Sequence, residues 1–297
     1  MNIVVTGAAG RLARAVLPML CADPAIARVT GIDRVPSAFR HVKFEPVVAD
    51  IGDRAAHDRL RGVDALVNLA FVVLRGRLTL SEMRRGNVDG TRALLSAAHD
   101  AKVGSIVQLS SAAVYGHGTG IAEDAPLAPL PRFRYALHKA EVDAWIAQAL
   151  PGIAVLRPTI ILGPHAQPLL KRIAAAPCHV RLPDPQPRLQ CVHEDDVARA
   201  VVLALAQRGS GVFNLAAPTE FSLRELVLAR HPHAPGVPLA LARLAIGFAW
   251  RTTGWGGEPG WFDGITETLT LDCARARTVL GWRPRHEQWR EIAGVIE

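Results

Sequence analysis

The chain is poor in the residues that would announce a disulfide framework, a metal cluster or a membrane span. Its 297 residues include four cysteines, Cys21, Cys178, Cys191 and Cys273, and none stands in a C-x-x-C spacing. Neither a zinc site nor a set of disulfides is therefore expected, and the thiols read as reduced and buried. Lysine is scarce as well. The formal charge of +7 is carried almost wholly by arginine, with Lys43, Lys102, Lys139 and Lys171 dispersed along the chain. There is no basic run and no interleaving of aromatics with basic residues, which argues against a nucleic-acid partner. The longest apolar stretch, Val237 to Trp250, is broken by Arg243 and falls short of the roughly 20 residues that a membrane span needs. It reads as a buried or lid helix. Met1 to Gly7 runs straight into a strand and turn with no room for a leader, so a cytoplasmic protein is expected.

With 49% hydrophobic residues, the chain can bury a large core as one big domain or a domain with an appendage. Short apolar runs at Ile3 to Thr6, Arg28 to Ile32, Ala65 to Leu69 and Ser105 to Leu109 alternate with helical patterns at Leu12 to Cys21, Arg54 to Leu60 and Val88 to Asp100. Continuous apolar strands separated by helices predict an α/β fold with a doubly wound parallel sheet, buried on both faces. A further strand is expected at Ala154 to Leu156, after which repeated prolines between Pro158 and Pro187 break regular structure. Later come a helix over Asp195 to Gln207, a strand at Val212 to Leu215 and a helix opened by a Ser222/Glu225 capping box. A strand over Thr266 to Leu271 and a helix over Cys273 to Leu280, stopped at Gly281, complete the pattern. Residues 1–157 thus read as mainly a dinucleotide-binding domain. Residues 158–297 read as mainly a smaller substrate region, interleaved because 190–217 returns to the core.

Thr6-Gly7-Ala8-Ala9-Gly10-Arg11-Leu12-Ala13 follows the first strand and opens the first helix, where small residues let backbone approach a pyrophosphate. A glycine pair alone would suit any tight turn; Asp33 supplies context. It ends the second strand about 20 residues farther on, where a carboxylate can accept from both ribose hydroxyls of an adenosine. It favours NAD, while Arg34 and Arg11 keep NADP open. Asp50-Ile51, read as the close of the third strand, can address the adenine, or can be a simple turn.

Tyr135 and Lys139 lie four residues apart, on one face of a helix. A phenol of pKa about 10 is a poor base at neutral pH, but a lysine cation and a nicotinamide ring both favour the phenolate. Tyr135 can then take the proton of an alcohol as hydride leaves its carbon. Ser110-Ser111 follows the Ser105 to Leu109 strand, where open parallel sheets bind ligands, and a hydroxyl there can orient the substrate oxygen. The order of these elements is more telling than any one of them.

Taken together, the chain resembles the extended short-chain dehydrogenase/reductase family, the NAD-dependent epimerase/dehydratase group, which has a Rossmann fold. Asn87-Val88-Asp89-Gly90-Thr91, Ser110-Ser111-Ala112-Ala113-Val114-Tyr115-Gly116, Arg157-Pro158-Thr159, Val192-His193-Glu194-Asp195-Asp196-Val197-Ala198 and Leu280-Gly281-Trp282-Arg283-Pro284 carry the likeness over almost the whole chain. The resemblance implies Ser111, Tyr135 and Lys139 as catalytic residues. It also implies cofactor contacts from Arg11, Leu12, Leu69 and Ala70 beside Gly7, Gly10, Asp33, Asp50, Ile51, Tyr135 and Lys139, with Lys139 holding the nicotinamide ribose. It further implies a homodimer formed through the helix after Asn87 and the helix containing Tyr135. No metal is expected, since His193, Glu194, Asp195 and Asp196 are adjacent at a helix start, a poor ligand geometry.

Departures from the family narrow the chemistry. Ala13 replaces the third glycine of the phosphate loop. Ala112 and Ala113 stand where sugar-nucleotide dehydratases carry an Asp-Glu pair, which argues against dehydration. Leu189 stands where epimerases place a diphosphate-binding arginine, with Arg188 one place earlier, and the R-P-G-D segment is missing. Phe248, Trp250, Trp255, Trp261 and Phe262 offer an apolar cover or an ordinary core. The reading is an NAD(P)-dependent enzyme moving hydride at a secondary alcohol or ketone of a small molecule. Alternatives are an epimerase of a sugar or sugar nucleotide, and a non-catalytic dinucleotide-binding regulator.

Overall fold

A computed structural model of the chain describes residues 1–74, 76, 78–253 and 259–295. Seven strands form one parallel sheet. In chain order they begin with β1 (Asn2–Thr6), β2 (Arg28–Asp33), β3 (Phe44–Val48), β4 (Ala65–Asn68) and β5 (Ser105–Leu109), and end with Ala154–Pro158 and Gly211–Leu215. Across the sheet the order is Gly211–Leu215, Ala154–Pro158, β5, β4, β1, β2, β3. The order reverses at β1, so the crevice above the carboxyl ends of β1 and β4 is the place where a doubly wound sheet binds its ligand.

Helix α1 (Ala13–Ala22) and the Glu194–Ala206 helix cover one face with the Val5, Val67 and Val107 side of the sheet. Leu94, Leu95 and Val142 pack against the other face with Val4 and Leu66. A smaller sheet joins Glu220–Phe221, Leu189–His193, Leu269–Leu271 and Gly118–Ile121, with Ile160–Leu162 pairing to Leu189–His193. Leu189, Gln190 and Leu269 of this second sheet border the crevice, and a third apolar cluster contains Leu162, Leu189, Phe221 and Trp289.

Four elements differ from expectation, the first being the strand read over Thr266 to Leu271, which is confined to Leu269–Leu271. The third strand ends at Val48, because Asp50 Oδ1 accepts from the Gly52 amide at 2.9 Å and turns the chain before Ile51. Arg54 to Leu60 holds a helix of four residues, Arg54–His57, followed by a 3-10 turn. The helix expected from Val88 begins earlier. Leu80–Arg84 opens with a Thr79/Glu82 capping box and runs into a π-helical segment, Arg85–Asp89, and then into Gly90–Asp100. The Ser222/Glu225 capping box is present as read, and the Leu239–Thr253 helix occupies the long apolar stretch. No described helix is long and apolar enough to cross a membrane.

Candidate active site

Polar side chains stitch the carboxyl edge of the sheet together. Thr6 Oγ1 donates to Asn68 Oδ1, Asn68 Nδ2 donates to Gln108 Oε1 at 2.7 Å, and Gln108 Nε2 donates to the Leu109 carbonyl at 3.0 Å. All three side chains are buried, so the loops that leave this edge start from a fixed line.

After β1 the chain turns at Gly7, whose φ is +71°, and the Gly10 amide donates back to the Gly7 carbonyl at 2.9 Å. A Cβ on Gly7 would lie 2.7 Å from the Ala70 nitrogen, and one on Gly10 would lie 2.8 Å from the Gly7 oxygen. Both positions need glycine. The bare backbone they leave lies just ahead of α1, whose N-terminus favours an anion. Asp33 Oδ2 accepts from the Ala9 amide at 3.0 Å, tying the end of β2 to this loop. Asp33, Arg34, Ala49, Asp50 and Ile51 line one cleft, which continues to Gly7, Gly10, Leu69 and Ala70. Arg11 turns elsewhere and donates to the Ala166 carbonyl at 3.3 Å. Of the two arginines that left NADP open, Arg34 alone is in this cleft. A glycine cradle at a helix N-terminus, with a carboxylate set to accept from ribose hydroxyls, fits a dinucleotide bearing a free 2′-hydroxyl.

A second cleft shares Gly7, Gly10, Leu69, Phe71, Val73 and Leu74 with the first and reaches Ser111 and Tyr135. Leu12 lines it too. Ser111 and Tyr135 line this cleft together, and the Ser111 oxygen accepts from the Ala113 amide at 3.2 Å. Lys139 is buried one turn along the Arg134–Ala149 helix; its Nζ donates to the Leu109 carbonyl and lies 3.7 Å from the centre of the Phe71 ring. Burial pushes the Tyr135 phenol up to about 12, against the pull of the Ser111 hydroxyl. Burial also pushes Lys139 down to about 7, against the opposing charge of Asp143. The two shifts have one cause, an apolar site that disfavours charge.

Sequence reasoning gave no site role to Asp143, Asn87 or Phe71. Asp143 follows Lys139 by one helical turn, and its Oδ2 accepts from the Ser110 hydroxyl at 2.8 Å and from Arg157 Nε at 2.9 Å. Both serines line the cleft, but the Ser110 hydroxyl is committed to Asp143 whereas that of Ser111 is not. Asn87 is fully buried; its Oδ1 accepts from the Val72 amide at 2.6 Å and its Nδ2 donates to the Val72 carbonyl at 3.0 Å. Phe71 supplies the ring under Lys139. The i,i+4 spacing from Lys139 was a usable signal for Asp143, whereas Phe71 had none.

Of the aromatic residues singled out, Trp261 lines the second cleft, with ring centroids 4.7 Å from Phe133 and 5.2 Å from Tyr135. Phe262 is buried, Phe248 is 71% exposed, Trp250 is half-buried and does not line the cleft, and Trp255 lies outside the described residues. His193 caps the Glu194–Ala206 helix, its Nδ1 accepting from the Asp195 amide at 3.2 Å, and its ring centroid lies 4.0 Å from that of His286. These three residues offer ligand atoms within 4.8 Å of one another, with the two histidine rings tilted by 38° and His193 Nδ1 already serving the helix.

Residues 3–216 match the sequence model of the NAD dependent epimerase/dehydratase family. Over 171 residues the chain is 30% identical to a 4-hydroxy-2-methyl-3-oxo-4-farnesyl-3,4-dihydroquinoline-1-oxide ketoreductase of Stigmatella aurantiaca, covering 55% of this chain and 51% of that protein. Thus the chain matches about half the length of that relative. It is 29% identical to a dTDP-glucose 4,6-dehydratase of Streptomyces antibioticus over 328 residues, covering 100% and 92% of the two. The crystal structure of a UDP-glucose 4-epimerase with UDP-glucose, from Thermotoga maritima, superposes with a TM-score of 0.77 at 19% identity, covering 100% and 97%.

Proposed function

This chain belongs to the NAD dependent epimerase/dehydratase family, and we propose that it is an oxidoreductase moving hydride between NAD and the carbon of a secondary alcohol or ketone. One observation carries the reading: Ser111 and Tyr135 line a largely apolar cleft that shares Gly7 and Gly10 with the dinucleotide cradle. Bound NAD supplies a two-electron acceptor for the hydride of the carbinol carbon, leaving a ketone. Tyr135 takes the hydroxyl proton as that carbon is oxidised and returns it when the reaction runs backward. Ser111 donates to the same substrate oxygen and holds it in line with the phenol. Lys139 Nζ, 5.9 Å from the centre of the Tyr135 ring, lowers the cost of the phenolate when it carries its proton. Dehydration is disfavoured because Ala112 and Ala113 leave no acid-base pair after Ser111.

A second reading, epimerisation, uses the same residues twice on a cofactor that never leaves, and the family's breadth supports it. Calorimetry with NAD and NADP tests both. We expect NAD to bind more tightly than NADP. Tyr135→Phe should keep NAD affinity within a few-fold while hydride transfer falls by at least about 10²-fold. Binding of neither dinucleotide would sink the proposal, and protein that purifies with nicotinamide already bound would favour the epimerase.

A further inference from the structure

The substrate half of the cleft is lined by Phe71, Phe133, Trp261, Ile265, Leu169 and Leu189 among others. Among its described lining residues Arg11 is the single charged side chain, and its guanidinium already donates to the Ala166 carbonyl. Three of the cleft's polar side chains are engaged by the protein. Thr159 Oγ1 donates to the Leu215 carbonyl at 3.3 Å, Gln190 Oε1 accepts from the Leu271 amide at 2.8 Å, and Ser110 is held by Asp143.

Arg188, the nearest cation in sequence to Leu189, is turned away into a cluster of its own. It donates to Glu225 Oε2 at 2.7 Å and to the Glu220 carbonyl at 3.0 Å, with the Glu220 carboxylate 3.6 Å from its Nε. A diphosphate entering this half would be stripped of water with Arg11 as the single cation among the described lining residues, at a cost the apolar wall does not repay. By contrast, a ring or hydrocarbon chain finds Phe133 and Trp261 packed edge to face beside the phenol. Gly260 fixes that pair, since a Cβ there would lie 2.1 Å from the Arg132 carbonyl oxygen. Only glycine lets the helix bearing Trp261 press onto the Phe133 loop.

We infer that the substrate is a neutral, apolar ketone or secondary alcohol, with an aryl ring or hydrocarbon chain beside the reacting carbon and no phosphate. This rests on the hydride-transfer reading for its reacting group and on the cleft lining for everything else. The apolar cleft recognises the body of the molecule, while Ser111 and Tyr135 recognise its one oxygen.

The experiment is a chain-length ladder. Binding of acetophenone, butyrophenone, hexanophenone and octanophenone is measured by calorimetry on the NAD-loaded protein and on its Tyr135→Phe variant, with UDP-glucose and dTDP-glucose as rivals. Turnover of the same ketones is followed with NADH. Affinity should rise about threefold to fourfold per added methylene until the cleft is filled, equally in the Tyr135→Phe variant, and exceed that for either nucleotide sugar by at least tenfold. A flat ladder, or a nucleotide sugar bound more tightly than octanophenone, would overturn the assignment. A rising ladder without turnover would support the substrate class and overturn the hydride-transfer reading instead.

Discussion

At the scale of the residue, Lys139 decides the most. A lysine 2% exposed, facing Phe71 and the Leu109 carbonyl, is held down to about 7 by burial. The ordinary value is 10.5, so between these two pH values the unfolded chain binds the proton more tightly than the folded one. Stability of the cofactor-free protein therefore rises with pH across that window, and the full cost of the buried ammonium is present below pH 7. The slope from this one group is about 1.4 kcal/mol per pH unit at most. Urea unfolding of wild type and Lys139→Met between pH 6 and 10 measures it: the variant should lose the rise, and parallel curves would refute the assignment. The residue is retained at that cost because an ammonium near Tyr135 is what the proposed chemistry uses. Its place on the Tyr135 helix was legible from the spacing; its low pKa was not, because Phe71 reaches it from another part of the chain.

At the scale of the element, the helical run from Leu80 to Asp100 carries its function in its irregular turn. The π-helical segment Arg85–Asp89 places Asn87 where both ends of its amide hold the Val72 backbone. π-Helical turns widen a helix locally and are common at functional sites. Here the turn pins the strand-to-helix loop that lines both halves of the cleft. Asn87→Ala leaves a Val72 amide without its partner and should cost about 1 to 3 kcal/mol, with NAD affinity lowered severalfold. Asn87→Asp keeps the acceptor and should recover part of the loss. Calorimetry and urea unfolding of the two variants decide the matter, and unchanged NAD affinity in Asn87→Ala would dismiss the clamp. Helical periodicity marked Val88 to Asp100 and missed the preceding turns, because the widened segment breaks the 3.6-residue spacing on which that reading depends.

At the scale of the whole molecule, the helical run from Leu80 to Asp100 meets the Arg134–Ala149 helix through its Arg85–Asp89 turn. Arg84 and Arg92 share Glu141 at 2.7 and 3.2 Å. We expect this pair to meet its copy in a second protomer, as the resemblance to the family implies, so that light scattering at micromolar concentration gives twice the chain mass. A single-chain mass would refute this. The second helix carries Tyr135 and Lys139, so dilution to monomer should lower hydride transfer along with the mass.

Local pattern alone determined the alternation of strand and helix, the glycine turn before α1, the carboxylate at the end of β2 and the pairing of Tyr135 with Lys139. Each depends on spacing within one element or on residues next to it, and short-range sterics and periodicity act at that range. Tertiary structure decided which serine hydroxyl is committed to Asp143, which arginine is spent on Glu220 and Glu225, and which aromatic of the C-terminal region reaches the phenol. Those outcomes turn on contacts across long stretches of chain, such as Ser110 with Asp143, Arg188 with Glu225 and Trp261 with Tyr135. Such contacts are selected by the packing of whole layers, which no local spacing encodes.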